Sequence, residues 1–216
     1  MSYKVIGIIS YLPDDEEKRQ ARFKKLCGLI QTCNQLFNLP IHIIIQNYYE
    51  EDTKILQKCN NCVLSPNYSR LGIVGARKKL REWFLSSPYD CLIMLDDDCE
   101  IIGTTEGAKQ YLSILDAHEG YFGEFRGTQL KLFAIYKNLL KYVDFADINP
   151  ENSEGFEDTL FVEKLKKKFP KRGFSFYEVQ NLKEVSLGVG DELSTWYDSQ
   201  DIKEMLYKTE EGKGKI

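Results

Sequence analysis

The chain reads as an α/β protein built on a mostly parallel sheet flanked by helices. Three observations predict this. Apolar, β-branched runs recur at residues 4–10, 41–46 and 91–95 without polar alternation, as in strands buried on both faces. Segments with apolar residues at helical spacing separate them. The resulting order over the first hundred residues, β-α-β-α-β-α-β, is that of a parallel sheet with helices on both faces.

Residues 4–10 form a central strand, and Tyr11-Leu12-Pro13 is its exit loop. Asp14, Asp15, Glu16 and Glu17 then load the first turn of a helix, where the helix dipole favours anions. Phe23, Leu26, Cys27, Ile30, Cys33 and Phe37 make the apolar stripe of that helix, and Asn38-Leu39-Pro40 ends it. Residues 41–46 are a second strand, leading to Asn47-Tyr48-Tyr49; His42 within it reads as a hydrogen-bonded core histidine. A short helix over 52–58, a short strand over 62–65, a loop at Ser65-Pro66-Asn67-Tyr68 and a helix over 71–85 follow. Ile73, Ala76, Leu80, Trp83 and Phe84 share one side of that last helix. Residues 91–95 are the next strand. Thr104 or Thr105 caps a helix running to about Ala117. Residues 119–127 read as a loop or irregular strand, and 130–143 as part strand and part helix. Glu157-Asp158 opens a helix with Phe161, Leu165 and Phe169 as its apolar stripe, and 174–179 is a late strand.

Composition narrows the function. The 216 residues suffice for one domain with a real core, and a net charge of −4 gives no general pull toward nucleic acid or anionic membrane. No apolar run approaches the ~20 residues that span a bilayer. The amino-terminal residues lack a signal-peptide layout, so a cytoplasmic protein is expected. The six cysteines read as reduced and structural: Cys59-Asn60-Asn61-Cys62 has no second Cys/His pair to complete a zinc site, and it leads into a strand rather than opening a helix. Neither a Gly-x-Gly-x-x-Gly after the first strand nor a Walker loop is present.

The chemistry gathers at the end of the 91–95 strand, where Asp96, Asp97 and Asp98 follow directly. In open α/β sheets ligands bind at the carboxyl ends of strands. Two like charges ~4 Å apart repel by roughly 4 kcal/mol at an effective dielectric near 20. Three carboxylates therefore splay into water, share a proton, or are held by a cation, and hard oxygen ligands suit Mg²⁺ or Mn²⁺. An EF-hand does not fit, because its sixth and twelfth positions, counted from Asp96, are Ile101 and Gly107.

Three motifs in order carry a resemblance: Gly75-Ala76-Arg77-Lys78 on a helix, Leu95-Asp96-Asp97-Asp98 at a strand end, and Glu157-Asp158 at a later helix start. Together they resemble the family-2-like glycosyltransferases with the GT-A fold, over about the first 165 residues. The resemblance implies a Rossmann-type, mostly parallel sheet with a smaller mixed acceptor-side region. Residues 1–103 would be the nucleotide-sugar-binding half, and 104–216 the acceptor-binding half of the same domain. It implies Asp98 as ligand to Mn²⁺ or Mg²⁺ with Asp96 sharing it, and donor contacts from Ser10, Tyr11, Asn47, Arg77 and Asp96. Arg77 is expected to pair with the diphosphate. Asp97 falls within the donor motif, with its side chain turned away and replaceable. Asp158 is implied as general base, with Glu157 as the alternative, and the reaction as inversion at the anomeric carbon of a UDP-sugar.

Two other readings stand beside this one: a sugar nucleotidyltransferase of related fold, which would normally carry a glycine-rich loop after the first strand, and a catalytically silent nucleotide- or carbohydrate-binding module. Gly188 to Trp196 is expected to close over the donor. Lys164, Lys166, Lys167, Lys168, Lys171 and Arg172 form a solvated helix face, or else they meet an anionic acceptor such as a glycan, a lipid-linked substrate or nucleic acid.

Overall fold

β1 (Lys4–Tyr11) is the strand on which the sheet is built, and every residue from Lys4 to Ser10 is buried. It pairs in parallel with β2 (Ile41–Gln46) on one side and with β4 (Cys91–Asp96) on the other. The protein is seen here as a computed structural model that describes residues 2–67, 71–125, 132–145, 157–176, 179 and 181–186, all within one compact unit. The remaining elements are α1 (Glu16–Leu36), α2 (Glu50–Leu56), β3 (Cys62–Asn67), α3 (Gly72–Ser86), β5 (Cys99–Gly103), α4 (Thr105–Ala117), β6 (Phe122–Phe125), β7 (Phe133–Tyr136), α5 (Lys137–Leu140), α6 (Glu157–Lys168), β8 (Gly173–Phe176) and β9 (Leu182–Ser186).

Seven strands make one sheet in the order β3-β2-β1-β4-β7-β6-β8, and only β7 runs against its neighbours; β5 and β9 pair antiparallel as a second, two-stranded sheet. This is the mostly parallel α/β architecture expected. The chain winds outward from β1 to β3 and then returns across β1 to form β4. That reversal leaves a crevice at the carboxyl ends of β1 and β4, where doubly wound sheets bind ligands.

Strand alternation sorts side chains to two faces. Ile6, Ile8, Ile43, Ile93 and Leu95 pack with Leu26, Ile30 and Cys33 of α1 and Tyr111 and Leu115 of α4. Val5, Ile9, Leu92 and Met94 pack with Ala76, Leu80 and Phe84 of α3 and Phe161 and Leu165 of α6. Gly7 also faces α3: a Cβ there would lie 2.7 Å from Leu92 Cδ1 and 2.9 Å from both Leu80 methyls. The missing side chain lets α3 lie close on β1.

Several local expectations change. Ser65-Pro66-Asn67 belongs to β3 rather than to a loop. β3 is an edge strand, where a proline without an N–H is tolerated. α2 starts at Glu50, two residues before Asp52, because the Asp52 carboxylate accepts the Tyr49 N–H and caps the helix from within. Ile73 is exposed rather than part of the α3 stripe. Of the stretch read as part strand and part helix, residues 133–140 form β7 followed by one turn of helix, α5. The expected helix cap is Thr104, whose hydroxyl accepts from Gly107 N at 3.2 Å. His42 is a buried, hydrogen-bonded core histidine: its Nε2 lies 3.0 Å from Ser65 Oγ and its ring stacks on Trp83 at 3.5 Å. All six cysteines are free thiols. No helix among the described residues is long and apolar enough to cross a membrane.

Candidate active site

The carboxyl ends of β1, β2 and β4 and the start of α6 carry the site. Asp96 is the last residue of β4 and lies in register with Ile9 of β1. By alternation with Leu92 and Met94 it faces α3. Arg77, one turn before Leu80 on α3, meets it there: Arg77 Nη2 is 3.1 Å from Asp96 Oδ1. The same guanidinium makes a close ion pair through Nη1 with Asp158 of α6. The Arg77 side chain is 4% exposed, against 21% for Asp96 and 19% for Asp158. Three residues from the three separate motifs thus converge, and one buried cation joins the two carboxylates. The planar Arg77 fork reaches both Asp96 and Asp158. The side chain of Glu157 lies outside the described residues.

Asp97 turns to the opposite face. It is 2% exposed and so faces protein rather than the crevice. Arg22 of α1 grips it with both arms, Nε to Oδ2 at 3.0 Å and Nη2 to Oδ1 at 2.8 Å. Ser10 Oγ donates to Oδ2 at 2.5 Å, and the Tyr48 hydroxyl lies 2.6 Å from Ser10 Oγ. Burial first, then the neighbouring Asp97 charge, pushes the Tyr48 phenol well above its ordinary range. Tyr48 is therefore a proton donor, and because the Ser10 proton goes to Asp97, the Tyr48 proton goes to Ser10. Asp97 thus lies on the sheet face opposite Asp96, and removing a partner from a buried, ion-paired carboxylate is costly. Ser10 is likewise 2% exposed and held between Asp97 and Tyr48.

Asp98 is the second residue of the turn between β4 and β5 and is half-buried, with Cys99 Sγ 4.0 Å from its Oδ1. Among the described residues no cluster of three His, Cys, Asp or Glu side chains is placed to hold a metal ion.

Asn47 follows β2 in a left-handed conformation, φ 58°. Its amide donates to Leu12 O and to Asp14 Oδ1, both at 2.8 Å. Arg19 of α1, buried and stacked 3.5 Å over the Tyr49 ring, donates to Asn47 O and to Asp52 Oδ2 at 2.9 Å each. The exit loops of β1 and β2 are thereby stitched together, and the Asn47 donors are spent within the protein. Tyr11 closes β1 opposite Gln46 and is half-buried at the same rim.

Arg19 and Arg22 are the site residues that sequence reasoning missed. Their signal is a pair of arginines one helical turn apart, in the amino-terminal half of the helix that follows β1. Those first turns necessarily lie at the sheet's carboxyl end, beside the strand-end acids. The basic run is partly committed within the fold: Lys166 pairs with the buried Glu124 at 2.8 Å, and Lys168 Nζ donates to Tyr142 O at 2.8 Å. Gly188 to Trp196 lie outside the described residues.

No family model matches the sequence, and no curated protein matches it. Solved structures do resemble the fold. S. aureus TarS superposes with a TM-score of 0.61 at 14% identity, over 83% of this chain and 36% of that one. TarS 1-349 in complex with UDP gives 0.61 at 14%, over 83% of this chain and 59% of that one. The same fragment in complex with UDP-GlcNAc gives 0.58 at 14%, over 83% and 57%. A Bacillus anthracis protein assigned as a glucose-1-phosphate thymidylyltransferase gives 0.51 at 10%, over 89% and 92%. The chain thus spans about a third of TarS and under two thirds of the TarS fragment. At these identities the likeness is one of fold.

Proposed function

We propose that the chain is a glycosyltransferase that takes a sugar from a nucleoside diphosphate, a UDP-sugar in the first instance, to an acceptor hydroxyl with inversion. One observation carries this: Arg77 brings the strand-end Asp96 and the helix-start Asp158 into one site at the crevice of β1 and β4. The UDP and UDP-GlcNAc complexes of a similarly folded protein support the donor class.

The acceptor oxygen attacks the anomeric carbon as the bond to the diphosphate breaks, and Asp158 receives the acceptor's proton. Such general-base help is typically worth about 10²–10⁴-fold. Arg77 does not touch the reacting atoms in this scheme; it fixes the direction of Asp158 relative to Asp96. Asp98 and Asp96 are the residues that would hold a divalent cation. Carboxylates are hard oxygen donors that suit Mg²⁺ or Mn²⁺, and Mg²⁺ commonly takes one or two of them and completes its shell with water and substrate phosphates. When bound, such an ion offsets the charge that builds on the leaving diphosphate.

A nucleotidyltransferase of the same fold is disfavoured, because Ser10-Tyr11-Leu12-Pro13 lacks the glycine-rich loop such enzymes need beside a triphosphate. A thermal-shift screen of nucleotide sugars with and without Mn²⁺ tests the reading. At ligand 100-fold above Kd, stabilisation near 2.7 kcal/mol raises Tm by about 5–10 °C. A Mn²⁺-dependent shift with UDP-sugars is expected. No shift with any nucleotide contradicts the reading, and a shift with no turnover of any acceptor identifies a binding module instead.

A further inference from the structure

The reading above uses Asp96, Asp98, Asp158 and Arg77, and leaves the other face of the strand-end turn without a task. That face holds the most heavily tied carboxylate of the site. Asp97 receives both arms of Arg22 and the Ser10 hydroxyl, and Ser10 in turn receives Tyr48. Burying a carboxylate is unfavourable unless it is paired and hydrogen-bonded. A turn between two strands needs no such group to fold, since a polar residue pointing into water would serve.

We infer that Asp97 and Arg22 are a positioning pair that fixes the turn on which the nucleotide and its metal ion are held. This rests on the assignment of Asp96 and Asp98 to donor and metal. Asp97 lies between those two residues, so anchoring it sets the direction of both neighbours. The anchor is a planar, bidentate pair, which fixes orientation as well as distance. The hydrogen-bond chain from Tyr48 through Ser10 to Asp97 joins the exits of β2, β1 and β4, and Arg22 adds α1. The ends of β1, β2 and β4 are thus tied to one carboxylate that is only 2% exposed. Removing such outer partners typically weakens metal affinity or activity by about 10–100-fold.

Calorimetric titration with UDP in the presence of Mn²⁺ tests this on the wild-type chain, Asp97→Asn, Arg22→Gln, the double variant and Tyr48→Phe, each melted in parallel to establish that it is folded. Asp97→Asn and Arg22→Gln should each bind UDP with Mn²⁺ about 10–100-fold more weakly. The double variant should be no weaker than the weaker single, because the two residues act as one unit. Tyr48→Phe removes only the far hydroxyl, keeps the charge pair, and should weaken binding about 2–10-fold; it carries the test if Asp97→Asn does not fold. Unchanged affinity in folded Asp97→Asn or Tyr48→Phe overturns the inference, as does full additivity in the double variant. If the wild-type chain binds no UDP with Mn²⁺, the functional reading fails and the inference falls with it. If the wild type binds and the variants match it, the inference alone fails.

Discussion

Arg77 ties together two carboxylates of the candidate site. Its buried guanidinium faces two carboxylates that each keep about a fifth of their side-chain surface in water. Breaking a fully buried ion pair costs about 3–5 kcal/mol; partial exposure reduces this, and Arg77→Met should destabilise by about 2–3 kcal/mol in urea denaturation. Arg77→Lys keeps the charge but cannot bridge both acids, and should recover only part of that loss. His42 makes a second prediction at this scale. Burial lowers its pKa from 6.5 to about 4. Between these values the unfolded chain binds more protons than the folded one, so unfolding free energy rises with pH. The contribution is complete above pH 6.5 and is lost as pH falls towards 4, by on the order of 3 kcal/mol. His42→Phe retains an aromatic ring to stack on Trp83 but cannot titrate. Its stability should be flatter with pH across this window; an unchanged slope would assign the effect to other groups.

Among elements, α3 decides where Arg77 stands, and Gly7 decides where α3 stands. A methyl at Gly7 would press on Leu80 and Leu92. Gly7→Ala should cost about 1–3 kcal/mol by overpacking, and it should weaken the site as well, because Leu80 lies one turn from Arg77. A Gly7→Ala protein of unchanged stability would show that α3 is free to shift. The elements also show what a sequence can and cannot disclose. β1, β2 and β4 were legible because strands buried on both faces read as unbroken apolar runs. β6 and β7 are four residues each, too short for a period to emerge, whereas β8 coincides with the start of the late strand read from Phe174. β5 and β9 pair across some eighty residues, and nothing local announces either. Asp96 and Asp158 stood out in the sequence at element boundaries, and Arg77 within the helix before them, because the three motifs come in a recognisable order. The Arg22–Asp97 pair was hidden because its partners lie 75 residues apart and meet only through the sheet register.

For the whole molecule, the sheet sorts the strand-end acids to its two faces. The α1 face anchors the strand-end turn through Asp97, and the α3–α6 face presents Asp96 and Asp158 around Arg77. On the proposed function, donor binding at Asp96 and base chemistry at Asp158 should be separable by mutation, although both acids meet at Arg77. The measurement that tests this most directly is steady-state UDP release from UDP-GlcNAc with Mn²⁺, comparing the wild-type chain with Asp96→Asn and Asp158→Asn. Asp158→Asn should lower kcat by about 10²–10⁴-fold with KM for the donor little changed, because the base acts in the transition state alone. Asp96→Asn should raise KM for the donor. Equal turnover in wild type and Asp158→Asn, with KM also unaffected by Asp96→Asn, would contradict a transferase site built around Arg77.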